Sequence, residues 1–313
     1  MRQAITKTFS VSQLRLAFQK VHANHGCAGV DRVTVNQFCR RLETNLMILY
    51  HQIRDGRYQA MPLLKILVAK KNGEPRKLCI STVQDRIVQR AALKEIEPIL
   101  EKEFEECSFA YRKGRSVRQV VYHIQQLYNE GYRYVVDADI DAFFDNVDHE
   151  ILIDKISNTI PDEHLRQMIL QWVKAEVWDG ENISKIEKGI PQGSCISPVL
   201  ANLFLDELDE AMQEKGMKYI RYADDYVVLC KTRAAAFNAL ALSQEVLSSL
   251  KLKLDEADVR SFQEGFKYLG VIFLGSMVMK PFSRQKKKRR VLFYPGPFDF
   301  DSYLRSRQVE SVL

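Results

Sequence analysis

Glycine and proline are scarce, 14 and 9 residues in 313, so collagen-like and linker-dominated chains are excluded. No stretch approaches the roughly 18 consecutive apolar residues that cross a bilayer. The opening MRQAITKTFS has no apolar core of signal-peptide length. The expectation is therefore a cytoplasmic protein with no membrane partner. Cysteine occurs at Cys27, Cys39, Cys79, Cys107, Cys195 and Cys230, never as C-x-x-C, and His22 and His25 beside Cys27 do not complete a zinc set. Free, mostly buried thiols in a reducing compartment are expected. Internal repeats and low-complexity tracts are also missing. What remains is 46% apolar and 27% charged, the composition of one large or two modest globular domains.

The net charge of +6 is unevenly placed. Residues 280–290, KPFSRQKKKRR, hold seven basic residues and no acid, while the rest of the chain carries 39 basic against 40 acidic residues. The positive balance is thus one short strip, which reads as an anion-binding segment or as a solvated basic linker.

Periodicity gives a mixed pattern. Helical spacing covers Ser12–Val21, Val35–Ile53, Val83–Phe104 (with a bend at Pro98), Ser116–Tyr128, His149–Ile156, Glu163–Val177, Pro198–Lys215 and Ala234–Leu250. LLKILVAKKNGEPRKLCIS reads as two strands around Asn72-Gly73, a strong hairpin signal. YRYVVDADI is a strand, Tyr219–Ile220 and Tyr226–Cys230 are the arms of a hairpin, Lys251–Leu254 is a short strand, and FKYLGVIFLGSMVM is hairpin-like. The fold class is α+β, with antiparallel hairpins framing polar tips.

Acidic residues gather in three places: DADIDAFFD, the tip holding Asp224 and Asp225, and the run around Asp255, Glu256 and Asp258. An adjacent aspartate pair is common by itself, but this one sits between the apolar arms YIRYA and YVVLC. Two neighbouring carboxylates raise each other's pKa unless a cation compensates, and hard divalent ions with oxygen ligands do so naturally. Asp139 ends an apolar strand that can lie beside the hairpin and supply a third carboxylate. Three carboxylates on neighbouring strands suit a pair of Mg²⁺ ions, with Mn²⁺ able to stand in, and the chemistry of such a pair is in-line phosphoryl transfer. Two blander readings stand beside this one. A calcium loop matches Asp137, Asp139 and Asp141 but has Ala142 and Asp148 where glycine and glutamate belong. The other is a solvated acidic turn.

The blocks HANHGCAGVDRVTVNQF, KKNGEPRKLCISTVQDRIVQRAALKEIEPILEKEF with SFAYRKGRS, DADIDAFFDNVDHEIL, GIPQGSCISPVLANLFLDELD, RYADDYVVL and FKYLGVIF follow in order over residues 22–275. Together they resemble reverse transcriptases of the group II intron lineage and its bacterial relatives, including CRISPR-associated and phage-defence enzymes. The resemblance implies a right-hand polymerase with fingers, palm and thumb, acting as an RNA-directed DNA polymerase on a primer, template RNA and dNTPs. It implies Asp139 and Asp224 as main metal ligands, Asp225 as third carboxylate, and a further oxygen from the Ile140 carbonyl. Phe144 would exclude the ribose 2′-hydroxyl. Gln192 and Gly193 would approach the nucleotide, and Lys70 and Arg76 would hold its triphosphate. Tyr222, Tyr268, Leu269 and Gly270 would meet the primer, and Lys286, Lys287, Lys288, Arg289 and Arg290 would grip the duplex backbone.

Two departures from the family pattern are visible. Where the family commonly has a lysine after the long palm helix, as candidate proton donor to pyrophosphate, this chain has Asp258, with Lys253 and Arg260 nearby. Beyond residue 280 only 33 residues remain, too few for a three-helix thumb. The expected layout is an N-terminal extension and fingers over 1–100, a first palm segment over 101–149, connecting helices over 150–188, a second palm segment over 189–280, and a basic, reduced thumb over 281–313. A structured noncoding RNA or a partner protein would then supply the missing thumb.

Overall fold

The computed structural model describes residues 8–69, 74–280, 291–299 and 303. It begins with three helices, α1 (Val11–Ala23), α2 (Val35–Arg40) and α3 (Leu42–Arg54). The expected single helix over 35–53 is broken at Arg41, whose φ is −124°. A capping box between Thr34 and Gln37 starts α2, and the Asn45 side-chain amide takes the Phe38 carbonyl at 2.9 Å, sealing the break. Strands β1 (Leu63–Ala69) and β2 (Pro75–Ile80) pair antiparallel as expected, and the Asn72-Gly73 turn between them lies outside the described residues.

Helix α4 (Val83–Leu100) is capped by Thr82 and stops short of the expected Phe104. Pro98 sits in its last turn, where the missing amide weakens the helix end. Helix α5 (Val117–Asn129), capped by Ser116, leads into β3 (Tyr134–Ile140). The short α6 (Phe143–Asn146), α7 (His149–Thr159) and α8 (Glu163–Val173) follow. The helix expected to reach Val177 ends at Val173, because Glu176–Trp178 forms β4 and pairs with β1 (Leu63 opposite Val177) and with β5 (Ile183–Lys185). Over so few residues an apolar run fits either period, and the open edge of β1 decides for strand.

Helix α9 (Ser197–Glu214), with Pro198 in its first turn, precedes β6 (Lys218–Tyr222), β7 (Asp225–Cys230) and α10 (Arg233–Ser249). The short strand expected at 251–254 is instead β8, Leu254–Ser261, so the acidic run around Asp255 is itself a strand. Leu254, Ala257 and Val259 pack on the core while the acids alternate outward, the one-sided pattern of an antiparallel edge strand. The expected C-terminal pair is three strands, β9 (Phe266–Tyr268), β10 (Val271–Leu274) and β11 (Met277–Met279). Strand β12 (Val291–Phe293) does not stay with them. It pairs antiparallel with β1, Leu67 opposite Phe293.

The central sheet has the order β6-β7-β3-β8 and is antiparallel throughout. Alternation along β3 fixes its two faces: Val136, Ala138 and Ile140 enter the main core with α9 and α10, whereas Val135 meets Val120, Ile124, Phe266 and Phe273 on the other side. Asp137 and Asp139 share the face of Val135, toward the sheet end where the β6–β7 hairpin turns. No helix among the described residues is long and apolar enough to cross a membrane.

Candidate active site

The sheet register brings the carboxylates together. Asp139 on β3 lies directly opposite Asp225 at the start of β7, and Asp224 occupies the turn before it. Burial, then the charges of Asp225 and Asp224, push the Asp139 carboxyl up to about 7. Asp225 is pushed up to about 6 by burial and then by Asp224, although a hydrogen bond with Asp139 opposes this. Asp224 is raised by burial. Three neighbouring acids, two of them half-buried, that repel one another are relieved by a cation, and hard carboxylate oxygens are what a divalent ion takes. The donor chemistry therefore fits such a metal. Among the described residues no group of three or more His, Cys, Asp or Glu side chains is placed to hold a metal ion by itself. A divalent ion here would need further oxygens from substrate phosphates, which Mg²⁺ commonly takes beside one or two carboxylates. The side chain of Ile140 is buried, and its amide bonds the Asp139 carboxylate.

The hairpin turn is held from below by Arg221, which is fully buried on β6. Its guanidinium forms a fork on Asp209 of α9, with Nε donating to Oδ1 at 2.7 Å and Nη2 to Oδ2. Nη1 donates to Asn202 Oδ1 and to the Ala223 carbonyl, both at 3.0 Å, and Nη2 to Ser108 Oγ at 2.9 Å. Ala223 has φ +64°, so the turn is kept in a left-handed conformation by a bond to its own carbonyl. This polar hub is absent from the sequence reading. Its signal was an arginine inside an apolar strand, KYIRY, facing Asn202 and Asp209 on an apolar helix: buried polar groups require partners.

The loop before α9 forms the opposite wall. The Cys79 amide donates to the Gln192 carbonyl at 2.7 Å, and Arg76 Nε donates to Gln192 Oε1 at 2.8 Å. Gly193 has φ +112°, and a Cβ there would lie 2.8 Å from the Cys79 carbonyl oxygen, so only glycine permits this approach of loop to strand. Phe144 is buried, yet it edges a cavity of about 230 Å³ shared with Gln192, Lys65, Lys77 and Lys188. Phe144 and Gln192 thus line one cavity, and Arg76 reaches it only through its bond to Gln192.

Other expected positions are less direct. Tyr222 is half-buried at the hairpin. Tyr268 is only 4% exposed, and its hydroxyl donates to the Asp225 carbonyl at 3.0 Å. Tyr268 thus lies beneath the hairpin and props it. Leu269 and Gly270, both at positive φ, form the β9–β10 turn. Lys70 and the strip Lys286, Lys287, Lys288, Arg289 and Arg290 lie outside the described residues. Asp258 faces Asp137 across the sheet and is paired with Arg260.

Comparison with known proteins agrees with this geometry. The family described as "Reverse transcriptase (RNA-dependent DNA polymerase)" matches residues 68–273. Protein YkfC of Escherichia coli (strain K12) is 31% identical over 308 residues, covering 85% of this chain and 80% of that protein. The group II intron-encoded protein LtrA of Lactococcus lactis subsp. cremoris is 32% identical over 215 residues, 68% of this chain but only 35% of LtrA. Telomerase from Candida albicans shares the fold at a TM-score of 0.55 and 11% identity, over 72% of this chain and 47% of that one. An antiparallel sheet with an aspartate strand beside a Tyr-Ala-Asp-Asp hairpin, matched along two thirds of its length, leaves one assignment: the chain belongs to the reverse transcriptase family.

Proposed function

We propose that the protein is an RNA-directed DNA polymerase that extends a primer 3′-hydroxyl with dNTPs on template RNA, in a mobile-element setting like that of its intron-encoded relative. The observation that carries this reading is the register placing Asp139 against Asp225 with Asp224 in the adjoining turn. In the reaction the 3′-hydroxyl attacks the α-phosphorus of the nucleotide and pyrophosphate leaves. Asp139, Asp224 and Asp225 would hold two Mg²⁺ ions, with the Ile140 carbonyl as a further oxygen. When bound, such ions activate the attacking hydroxyl and neutralise charge on the phosphates.

The chain's own residues do the rest. Arg76, anchored by Gln192, presents a planar fork of N–H donors to the triphosphate. Gly193 lets the loop backbone come close to strand β2, which sets the width of the nucleotide opening. Phe144 fills the space a 2′-hydroxyl would need. Asp258 cannot replace a lysine as proton donor while ionised, and Arg260, with its very high pKa, does not give up a proton at neutral pH.

The division into a palm over 101–149 and 189–280 and fingers over 1–100 is part of this reading. Asp224→Asn is the test. The purified variant should keep its fold, by circular dichroism and unfolding midpoint, and lose incorporation on poly(rA)/oligo(dT) by at least about a thousandfold. Undiminished synthesis by a folded variant would refute the assignment.

A further inference from the structure

Tyr111 is unusual in backbone and in exposure at once. Its φ of +62° lies in the left-handed region, which disfavours bulky side chains, yet the residue is 55% exposed, so no core packing offsets the conformation. Both neighbours are fastened. Ala110 is buried and its carbonyl accepts from Asn202 Nδ2 at 2.9 Å. Arg112 is buried, bonding the Ser108 carbonyl at 2.9 Å, the Phe104 carbonyl at 3.2 Å and the Glu101 carboxylate at 2.8 Å. The segment is also laced to β6: the Phe109 amide donates to the Arg221 carbonyl at 3.0 Å, and the Arg221 amide to the Cys107 carbonyl at 2.9 Å.

Arg221 therefore holds two things with one side chain and its own backbone. Its guanidinium fixes the Ala223 carbonyl in the Tyr-Ala-Asp-Asp turn, and through Ser108 and Asn202 it fixes the loop that carries Tyr111. The backbone under the ring is thereby set in a constant relation to the turn. After burial, the charge felt most by the Tyr111 phenol is that of Asp224, followed by Tyr222, Arg76 and Asp225. The Ser108–Arg221 bridge runs the loop of Tyr111 along the edge of β6, so the exposed residue borders the hairpin that carries Asp224 and Asp225.

We infer that Tyr111 is a substrate-binding residue, its exposed ring forming the platform on which the base at the primer's 3′ end stacks. The inference rests on the polymerase reading and adds a specific contact to it. An aromatic face accepts any of the four bases, and a fastened backbone under the ring lowers the entropy lost on stacking.

The experiment compares wild type, Tyr111→Ala and Tyr111→Phe. The affinity for a primer–template duplex is read by fluorescence anisotropy, and KM and kcat by primer extension. Tyr111→Ala should weaken duplex binding and raise the primer–template KM about tenfold, the loss of one base–aromatic stack, without altering the KM for dNTP or lowering the unfolding midpoint. Tyr111→Phe should stay within about twofold of wild type, because the ring is kept. On a primer ending in an abasic nucleotide, wild type and Tyr111→Ala should bind alike. Equal binding of an intact primer by wild type and Tyr111→Ala would overturn the inference, as would a penalty that persists on the abasic primer or a Phe variant as impaired as Ala. Anisotropy needs no turnover, so a wild-type protein that binds but never incorporates would sink the polymerase reading separately.

Discussion

At the scale of single residues, the site depends on a few side chains whose surroundings leave them little choice. Phe143 and Phe144 are adjacent and both buried, but only Phe144 edges the cavity beside Gln192, while Phe143 packs on Phe204. Phe144→Val should therefore keep the fold and open room for a 2′-hydroxyl. The ratio of rNTP to dNTP kcat/KM should rise about tenfold or more. Unchanged sugar selectivity would remove Phe144 from the nucleotide site. The role proposed for Phe144, five residues after Asp139, rests on the family resemblance. The burial of Tyr268 was not legible in the sequence, because an aromatic in a hairpin reads the same whether it faces solvent or props a neighbouring turn.

At the scale of elements, helix α9 carries a cluster of acids that the central sheet must tolerate. Asp209 is satisfied by Arg221, with both side chains wholly buried. Removing one partner of such a pair leaves a buried charge uncompensated, so Arg221→Ala should cost about 3–5 kcal/mol in urea unfolding. Asp206 has no such partner. One of its carboxyl oxygens is buried without a hydrogen bond, and burial, followed by Asp209 and Glu210, pushes it up to about 7. The folded protein then keeps this proton at pH values where the unfolded chain has released it. Stability from this group is complete below about pH 4 and is lost as pH rises toward 7. Asp206→Asn should accordingly be more stable than wild type at pH 8, on the order of 2 kcal/mol, with the gain fading toward pH 4.5. Urea titrations at the two pH values check the sign. The same scale explains where the periodicity failed. Strands β4 and β8 are short or acidic, and each is a strand because an open neighbouring edge accepts it, β1 for β4 and β3 for β8.

At the scale of the whole molecule, the C-terminal residues that are described return to the first sheet. Strand β12 fills the edge of β1 that β4 leaves open. Arg32 donates to the Pro295 and Gly296 carbonyls at 2.6 and 2.5 Å, with its guanidinium 4.7 Å from the centre of the Tyr294 ring. Phe298 packs on Trp178, and the Tyr303 hydroxyl donates to Glu176 at 2.7 Å. The first and last parts of the chain are thus joined in one sheet. Arg32→Ala should speed amide exchange at Val291 and Phe293 by about tenfold or more, since charge-assisted hydrogen bonds are lost, and leave β3 protected. Exchange unchanged at β12 would mean that pairing with β1 alone holds it.

The sequence by itself determined the family, the mixed fold and the identity of the acids, because motif order, turn residues and apolar spacing are local properties written along the chain. Only the tertiary structure decided that Asp139 faces Asp225, that Arg221 ties the turn to helix α9 and to the loop of Tyr111, and that β12 joins β1. These are pairings between segments distant in sequence. Register, burial and hydrogen-bond satisfaction exist only once both partners are in place, so no stretch of one partner alone encodes them.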